Sequence, residues 1–200
     1  MLEKEYENII TSEITKEKTV TKPIIEMIEE FERKLTETDF LNNAVIVEEY
    51  FGIKSGTATA RDKLLENQIV KKDWFLNATC NFLLDDFKGL YVFIHDGKPF
   101  YFGISKKVLR RIIQHVKGED QSKATLAYNI GLKYYKLKNN SFYLGRRTDF
   151  DFKKYVDPIK MFLMKQKVAF FKIEDDNELY FFELYCALKY KTILNSFETH

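Results

Sequence analysis

One glutamate stands on an otherwise apolar face of a helix predicted near the end of the chain. Glu183 is the only charged residue between Leu179 and Leu188. Its helical neighbours, three and four positions away, are Leu179, Tyr180, Cys186 and Ala187. Because an ionised carboxylate on an apolar face is unfavourable without a partner, we expect a cation beside Glu183. That cation is either Arg111 or a hard divalent metal such as Mg²⁺, which proteins hold with one or two carboxylates.

A basic pair lies on a second predicted helix, over residues 106–117. Arg111 and His115 are four positions apart, so at about 100° per residue they lie within roughly 40° of each other. Their face borders the predicted buried stripe of Val108, Leu109, Ile112, Ile113 and Val116. We therefore expect both side chains at the edge of the core. The alternative is a surface arginine beside a surface histidine.

Two tyrosines stand on strand-like runs that flank an Asp-Gly pair. Residues 90–94 and 100–103 are β-branched and aromatic, and Asp96-Gly97 lies between them. This arrangement is typical of a β-hairpin.

The loop of this hairpin decides which side chains share a face of the sheet. A two-residue turn pairs Tyr91 with Phe102 and places Tyr101 on the opposite face. A three-residue loop starting at His95 pairs Tyr91 with Tyr101. The residues permit both loops, and a site shared by the two tyrosines requires the second.

Residues 89–200 resemble the GIY-YIG nuclease family. The motif stands as Gly89-Leu90-Tyr91, nine further residues, and Tyr101-Phe102-Gly103. The family places an arginine eight residues after the second glycine, often with a histidine four further on, and Arg111 and His115 hold those positions. A glutamate on a later helix and an asparagine beyond it match Glu183 and Asn195. Residues 1–85 show no such resemblance.

The resemblance implies an α+β fold. We expect a small antiparallel sheet, made of the hairpin and a third strand and flanked by helices, over residues 86–200. A mostly helical N-terminal region of unknown role is expected over residues 1–85. The charge balance changes sign near residue 85, which is where we place the boundary.

The resemblance also implies a metal-dependent endonuclease that hydrolyses phosphodiester bonds in DNA. Glu183 would bind Mg²⁺ or Mn²⁺, and Arg111 would contact the nonbridging phosphate oxygens. Tyr91 would be the general base for the attacking water, and Tyr101 would position that water. Since a free phenol has a pKa of about 10, Tyr91 needs Arg111 and the metal nearby to favour its phenolate form.

Two further residues complete the implied site. His115 would assist proton transfer or contact phosphate, and Asn195 would orient the last helix or a phosphate oxygen. RNA is an alternative substrate to DNA. Because cutting both strands of a duplex requires two sites, a homodimer is one arrangement that would provide them.

The distribution of charge favours a polyanionic partner for the second part of the chain. The net charge of +2 is the sum of −6 over residues 1–88 and +8 over residues 89–200. Residues 97–147 contain 12 basic and 2 acidic residues. A basic surface of this kind is typical of nucleic-acid binding, although solvated lysines on helices are the simpler explanation. The residues expected to contact DNA are Lys106, Lys107, Lys123, Arg146 and Arg147.

Composition excludes several classes of protein. At 45% hydrophobic and 31% charged residues, the chain can bury a core, and no apolar run approaches the length of a membrane span. Cys80 and Cys186 are too few for a disulfide framework, so any metal is expected to have oxygen ligands. The first residues do not resemble a signal peptide, and we expect a cytoplasmic protein without a membrane partner.

The remaining elements follow from periodicity and capping signals. A helix is predicted from Pro23 to about Lys34, with Ile24, Ile25, Ile28 and Phe31 on its apolar stripe. Ser105 is the expected N-cap of the helix ending at Gly118. Helices are predicted over about 122–137 and about 150–165, the second of them kinked or started near Pro158. A strand is predicted over 167–173, and Asp176 or Asn177 is the expected cap of a last helix that ends at about Lys191.

Two non-enzymatic functions compete with the nuclease. The first is a nucleic-acid-binding protein that keeps the basic surface but binds no metal. The second is a protein-interaction module, in which the acidic N-terminal half is a partner surface or covers the basic face.

Overall fold

The computed structural model describes residues 11–12, 22–51, 86–139 and 150–195, and within them it confirms the predicted α+β class. The strands are β1 (Val45–Ile46), β2 (Gly89–His95), β3 (Lys98–Ser105) and β4 (Lys167–Lys172). They form one antiparallel sheet in the order β1-β4-β2-β3. The helices are α1 (Ile24–Thr38), α2 (Phe40–Asn43), α3 (Val47–Tyr50), α4 (Val108–Lys117), α5 (Thr125–Lys138), α6 (Phe152–Met164) and α7 (Asp176–Lys189).

The sheet is covered by helices on both faces. Tyr91 and Phe93 of β2 pack on the side of α4, α5 and α6. Leu90 and Val92, the alternate residues of the same strand, pack on the side of α1 and α7. β2 is therefore buried on both faces, which explains its continuous run of apolar residues.

The N-terminal residues 22–51 belong to the same core as the predicted nuclease-like region. β1 was not predicted, because two residues are too short for a periodic pattern, and it pairs Val45 with Val168 of β4. Phe31 of α1 stacks on Phe182 of α7, with ring centroids 4.3 Å apart. A boundary at residue 85 stays a prediction, and residues 52–85 lie outside the described part of the chain.

α1 begins after Pro23 as predicted, but its buried face differs from the predicted stripe. Ile24 and Ile25 are exposed, whereas Phe31 and Leu35 are buried against the sheet and α7. The first turn of α1 therefore lies beyond the edge of the core, and the stripe begins later than the periodicity indicated.

The hairpin turn has two residues, and a β-bulge follows it. Asp96 and Gly97 both have positive φ, 48° and 74°, as a two-residue turn of this twist requires. The register changes beyond Ile94, so that Phe93 lies opposite Tyr101, and Tyr91 lies opposite Gly103. Both registers derived from the sequence are therefore wrong. The one-residue bulge, at position 100, restores the alternation that a two-residue turn alone would have reversed.

Asp86 caps the N-terminus of α4 in place of the expected Ser105. Its carboxylate accepts hydrogen bonds from the backbone N–H groups of Leu109 (2.9 Å) and Arg110 (3.0 Å). Ser105 instead accepts from the Lys107 N–H within the preceding turn. A residue on the other side of the hairpin thus satisfies the free donors of this helix, which no local pattern could show.

The last elements are close to their predicted ranges. α6 starts at Phe152 and includes Pro158 within the helix, so it does not start near this proline. The cap of α7 is Asp175, whose carboxylate accepts from the Glu178 N–H, in place of Asp176 or Asn177. Within the described ranges, no helix combines the length and apolar character needed to cross a membrane.

Replacement of Asp86 by alanine tests the non-local cap. Asp86→Ala should lower the free energy of unfolding by about 1–2 kcal/mol, because two helical N–H groups lose their acceptor. In a chain of this size 1 kcal/mol corresponds to about 2–4 °C in melting temperature, measurable by calorimetry. The control is Asp176→Ala, which removes an acid from the first turn of α7 that forms an exposed ion pair with Lys88. Equal effects of the two substitutions would contradict the cap.

Candidate active site

The phenol rings of Tyr91 and Tyr101 share one face of the hairpin. Their centroids are 6.1 Å apart, which confirms the predicted common face even though the two residues are diagonal rather than direct partners. Gly103, opposite Tyr91, makes this possible. A Cβ atom at Gly103 would lie 2.5 Å from both Cζ and Oη of Tyr91, so the ring lies across the glycine. Any other residue there would displace the Tyr91 hydroxyl.

The buried His115 side chain forms a hydrogen bond with the Tyr91 hydroxyl. Its Nε2 atom lies 2.7 Å from the Tyr91 Oη, and its Nδ1 accepts a hydrogen bond from the Leu126 N–H at 3.3 Å. Because Nδ1 is an acceptor, the proton of the neutral ring is assigned to Nε2, which donates it to Tyr91. His115 is fully buried, so it orients Tyr91 and is out of direct reach of a phosphate group.

Burial determines the protonation of these groups. Burial, and then the nearby Arg111 charge, lower the pKa of His115 to about 3, so the imidazole is neutral at physiological pH. Burial raises the pKa of Tyr91 well above its ordinary value, Tyr101 raises it further, and the Arg111 guanidinium opposes this shift. Tyr91 therefore keeps its proton at neutral pH in the absence of additional positive charge.

Arg111 is fixed in place by neutral groups. Nη1 donates to Gln114 Oε1 (3.2 Å) and to the carbonyl oxygens of Ser122 (3.2 Å) and Lys123 (3.1 Å). Nη2 donates to Thr125 Oγ1 at 3.0 Å. Among residues 22–51, 86–139 and 150–195, no carboxylate forms an ion pair with it. The guanidinium is thus held rigidly with its charge uncompensated, which suits an anionic ligand.

Glu183 is a partly buried carboxyl group without a partner in the described part of the chain. Neither a cation nor a hydrogen-bond donor contacts it there, so Arg111, one of the two cations considered from the sequence, does not pair with it. Burial raises its pKa to about 7. Its charge acts on Tyr101, whose pKa burial raises and whose surroundings also include Arg111. Glu183 and Arg111 therefore act on the same phenol from separate positions.

The donor set fits a magnesium ion better than a metal that needs several protein ligands. The structure places no group of three or more His, Cys, Asp or Glu side chains suited to a metal within its described ranges. Glu183 supplies a single carboxylate, and Mg²⁺ is commonly held by one or two carboxylates with water and substrate phosphate as the other ligands. An uncompensated carboxylate next to the tyrosine pair matches this requirement.

Asn195 anchors the end of α7 to the sheet. Its Oδ1 accepts from the Phe102 N–H (2.9 Å), and its Nδ2 donates to the Phe102 carbonyl oxygen (2.7 Å). Thr192 Oγ1 also donates to Oδ1, at 2.9 Å. Because β3 is an edge strand, Asn195 pairs with backbone groups that face away from β2. This geometry matches the expected orienting role and leaves a phosphate contact without support.

The residues expected to contact nucleic acid differ in their surroundings. Lys106 and Lys107 are exposed immediately before α4. Lys123 is exposed too, but its Nζ lies 2.8 Å from Asp120 Oδ2, so its charge is partly neutralised. Arg146 and Arg147 lie outside the described residues.

Three residues that hold the site were not predicted. Gln114 follows Arg111 by three positions, a helical spacing at which the contact could have been anticipated. Thr125 and Leu126 begin the next helix, and only the packing of α5 against α4 brings them to Arg111 and His115. Sequence spacing carries no signal for contacts of this kind.

Comparison with known proteins gives a distant structural similarity. No protein-family model matches the chain, and no curated protein matches it. The GIY-YIG N-terminal endonuclease domain of UvrC from Thermotoga maritima, bound to magnesium, is 16% identical with a TM-score of 0.32, over 57% of this chain and 91% of that one. Two tyrosine-to-phenylalanine mutants of that domain, bound to its catalytic divalent cation, give TM-scores of 0.32 and 0.31 at 16% identity, over 57% of this chain and 90% of theirs.

The neutral state of His115 can be tested by nitrogen NMR. Between pH 5 and 8 its ring signals should not titrate, with Nδ1 in the unprotonated and Nε2 in the protonated form, because folding lowers its pKa to about 3. Since the unfolded chain binds this proton near pH 6.5, the contribution of His115 to stability is present above that pH and is lost as the pH falls toward 3.

His115→Gln assigns the His115 signals, and the urea-unfolded protein provides the titrating control. A folded-state titration of His115 near pH 6.5 would contradict the buried, tautomer-locked arrangement.

Proposed function

We propose that this protein is a metal-dependent endonuclease that hydrolyses phosphodiester bonds in DNA, with RNA as an alternative substrate. The observation that carries the proposal is the pair of uncompensated charges around Tyr101. Glu183 and Arg111 both act on this phenol, yet neither has an opposite charge paired with it in the described part of the chain. A carboxylate without a cation and a guanidinium without an anion are together complementary to a metal ion and a phosphate group.

Arg111 would bind the scissile phosphate. Its guanidinium is oriented in advance by Gln114, Thr125 and two backbone carbonyls, so binding does not have to order the side chain. A pre-oriented guanidinium can stabilise the charge that develops on the nonbridging oxygens in the transition state. Glu183 would hold Mg²⁺ or Mn²⁺, and the bound metal supplies neutralisation of charge at the phosphate and the leaving oxygen.

Tyr91 would accept the proton of the attacking water. Two features favour its phenolate: the Nε2–H donated by His115, and the nearby positive charge of Arg111. Burial opposes ionisation and dominates in the free protein, so the phenolate would need further positive charge beside Tyr91. Tyr101, hydrogen-bonded to Tyr91, would position the attacking water.

One observation favours a second candidate function, a nucleic-acid-binding protein without catalysis. The pKa of Tyr91 is raised well above 10, so the free protein has no ready general base. A chain that bound phosphate through Arg111 but never ionised Tyr91 would bind nucleic acid and not cut it. A plasmid-nicking assay with and without Mg²⁺ distinguishes the two functions.

Replacement of Glu183 by glutamine separates catalysis from binding. Glu183→Gln should reduce Mg²⁺-dependent nicking by about 100-fold or more, because a lost catalytic charge contact costs about 3 kcal/mol or more in the transition state. DNA affinity in a gel shift should stay similar or become tighter, since a negative charge near phosphate is removed. The melting temperature should stay the same or rise, because an amide is easier to bury than an unpaired carboxylate.

The matched control is Glu178→Gln, the same substitution on the same helix. Glu178 forms an ion pair with Lys34 at 3.0 Å, so its replacement should lower stability slightly and leave nicking intact. Retained nicking in Glu183→Gln together with a collapsed melting temperature would refute the metal-ligand assignment.

The raised pKa of Glu183 predicts a pH dependence that shifts with metal concentration. Since a metal binds the ionised carboxylate, the nicking rate at low Mg²⁺ should rise with pH up to about 7 and then level off. At a higher Mg²⁺ concentration, this rise in the nicking rate should occur at lower pH. Without metal, the folded carboxyl keeps its proton up to about pH 7, so Glu183 lowers stability as the pH rises from 4.5 to 7.

Mg²⁺ should therefore raise the melting temperature more at pH 8 than at pH 5, and this difference should vanish in Glu183→Gln. If the pH at which the nicking rate rises does not change with Mg²⁺ concentration, a group other than Glu183 is titrating.

A further inference from the structure

A second surface, on the C-terminal half of α5 and the first turn of α6, carries exposed positive charges. In this basic–aromatic surface the lysines are Lys133, Lys136, Lys138, Lys153 and Lys154, all of them exposed. None forms an ion pair with a residue of the described ranges. The nearest acids along the two helices are already engaged: Asp151 caps α6 by accepting the Lys154 N–H, and Asp157 pairs with Lys160. The positive charge of this surface is thus available to a ligand.

An exposed tyrosine ring lies on the same helix, four positions before Lys138. Tyr134 is 53% exposed, and one side of its ring contacts Tyr155 with centroids 6.3 Å apart. Tyr155 is itself braced by Tyr135 (5.1 Å) and by Phe150, which stacks on it at 5.6 Å. The Tyr134 ring is therefore held at its base while more than half of it stays open. A braced aromatic ring loses little conformational freedom when a second ring stacks on it.

Exposed aromatic rings among lysines are the features that bind single-stranded nucleic acid. The lysines follow the phosphate backbone, and each ring accepts a base by stacking, whatever its sequence. Duplex DNA, in which bases are already stacked on one another, would use the lysines but not the ring.

The surface lies on the same helix that holds the candidate active site. Thr125 and Leu126, at the start of α5, bind Arg111 and His115. Tyr134 lies nine residues beyond Thr125, which at 1.5 Å per residue is about 14 Å along the helix axis. Nine residues also turn the helix by about 180°, so Thr125 and Tyr134 project on opposite sides of α5. A strand that reaches both must therefore span at least four stacked nucleotides at about 3.4 Å each. α5 thus connects the two surfaces at a fixed distance.

We propose that the basic–aromatic surface binds an unpaired part of the substrate strand, at least four nucleotides from the bond that is cut. A base would stack on Tyr134. The flanking phosphates would contact Lys138, four positions along α5 from Tyr134, and Lys154, whose Nζ lies 5.3 Å from the centre of the Tyr155 ring. The substrate class is a nucleic acid with a single-stranded segment beside the cleavage position, such as a flap or a gapped strand. The position relative to the cut rests on the proposed function, whereas the binding of single strands does not.

The test is a binding measurement on the full chain in EDTA, by fluorescence anisotropy with labelled dT30 and a labelled 30-base-pair duplex. Tyr134→Ala should weaken dT30 binding about fivefold or more and change duplex binding less than twofold. The control is Tyr180→Ala, which removes a tyrosine that is 65% exposed on α7, across the sheet, and should change neither. Tyr134→Phe, which keeps the ring, should keep the affinity for dT30.

The lysine contribution is measured from the salt dependence. The double variant Lys138→Gln/Lys154→Gln should reduce the slope of log affinity against log salt for dT30 by about 1.4, or about 0.7 for each lost contact. The charge-matched control, Lys165→Gln/Lys167→Gln at the other end of α6, should leave the slope unchanged. A 5-iodouracil-substituted oligonucleotide should cross-link at Tyr134 on irradiation, as mapped by mass spectrometry.

Equal dT30 binding by Tyr134→Ala and wild type, or equal losses on dT30 and duplex, would overturn the proposal, as would a cross-link elsewhere. If wild type cuts a flap substrate with Mg²⁺ while Tyr134→Ala binds dT30 normally, the single-strand surface is refuted and the nuclease stands. If Tyr134→Ala loses dT30 binding while wild type cuts nothing, the nuclease is refuted and the surface stands.

Discussion

The hydrogen bond between the Tyr91 hydroxyl and His115 is the contact on which the candidate site depends. It joins the central strand of the sheet to α4, and the Leu126 N–H extends the connection to α5. A buried tyrosine hydroxyl without a partner is costly, so the position of these helices and the orientation of the phenol are mutually dependent. Gly103 is part of the same constraint, because only a residue without a side chain leaves room for the ring.

The fold places the two uncompensated charges, those of Arg111 and Glu183, on different helices. Arg111 belongs to α4 on one face of the sheet, whereas Glu183 belongs to α7 on the other. Both charges nevertheless affect the pKa of the same phenol, that of Tyr101 on the edge strand β3: Glu183 raises it and Arg111 lowers it. Asn195 fastens the chain after α7 to this strand. α1 supports α7 from the far side, through the stacking of Phe31 on Phe182.

Local patterns predicted the elements, and non-local contacts determined the site. The apolar neighbours of Glu183 indicated an unusual carboxylate, and the helical spacing placed Arg111 and His115 together. The common face of the tyrosines was predicted with the wrong register, since the bulge at position 100 leaves no mark in the residue pattern. The cap from Asp86 and the acceptors around Arg111 come from other elements, so periodicity could not identify them. The elements that carry the candidate residues were thus easier to predict than the contacts that hold those residues in place.

The most direct test of the central claim, that Glu183 binds a divalent metal beside the tyrosine pair, is paramagnetic broadening by Mn²⁺ in NMR spectra of the free protein. At substoichiometric Mn²⁺, the amide signals of Phe182, Glu183 and Leu184 and that of Tyr101 should broaden first, and in Glu183→Gln they should stay sharp. Broadening that is unchanged in Glu183→Gln, or that centres on exposed acids such as Asp96 or Glu174, would contradict the account.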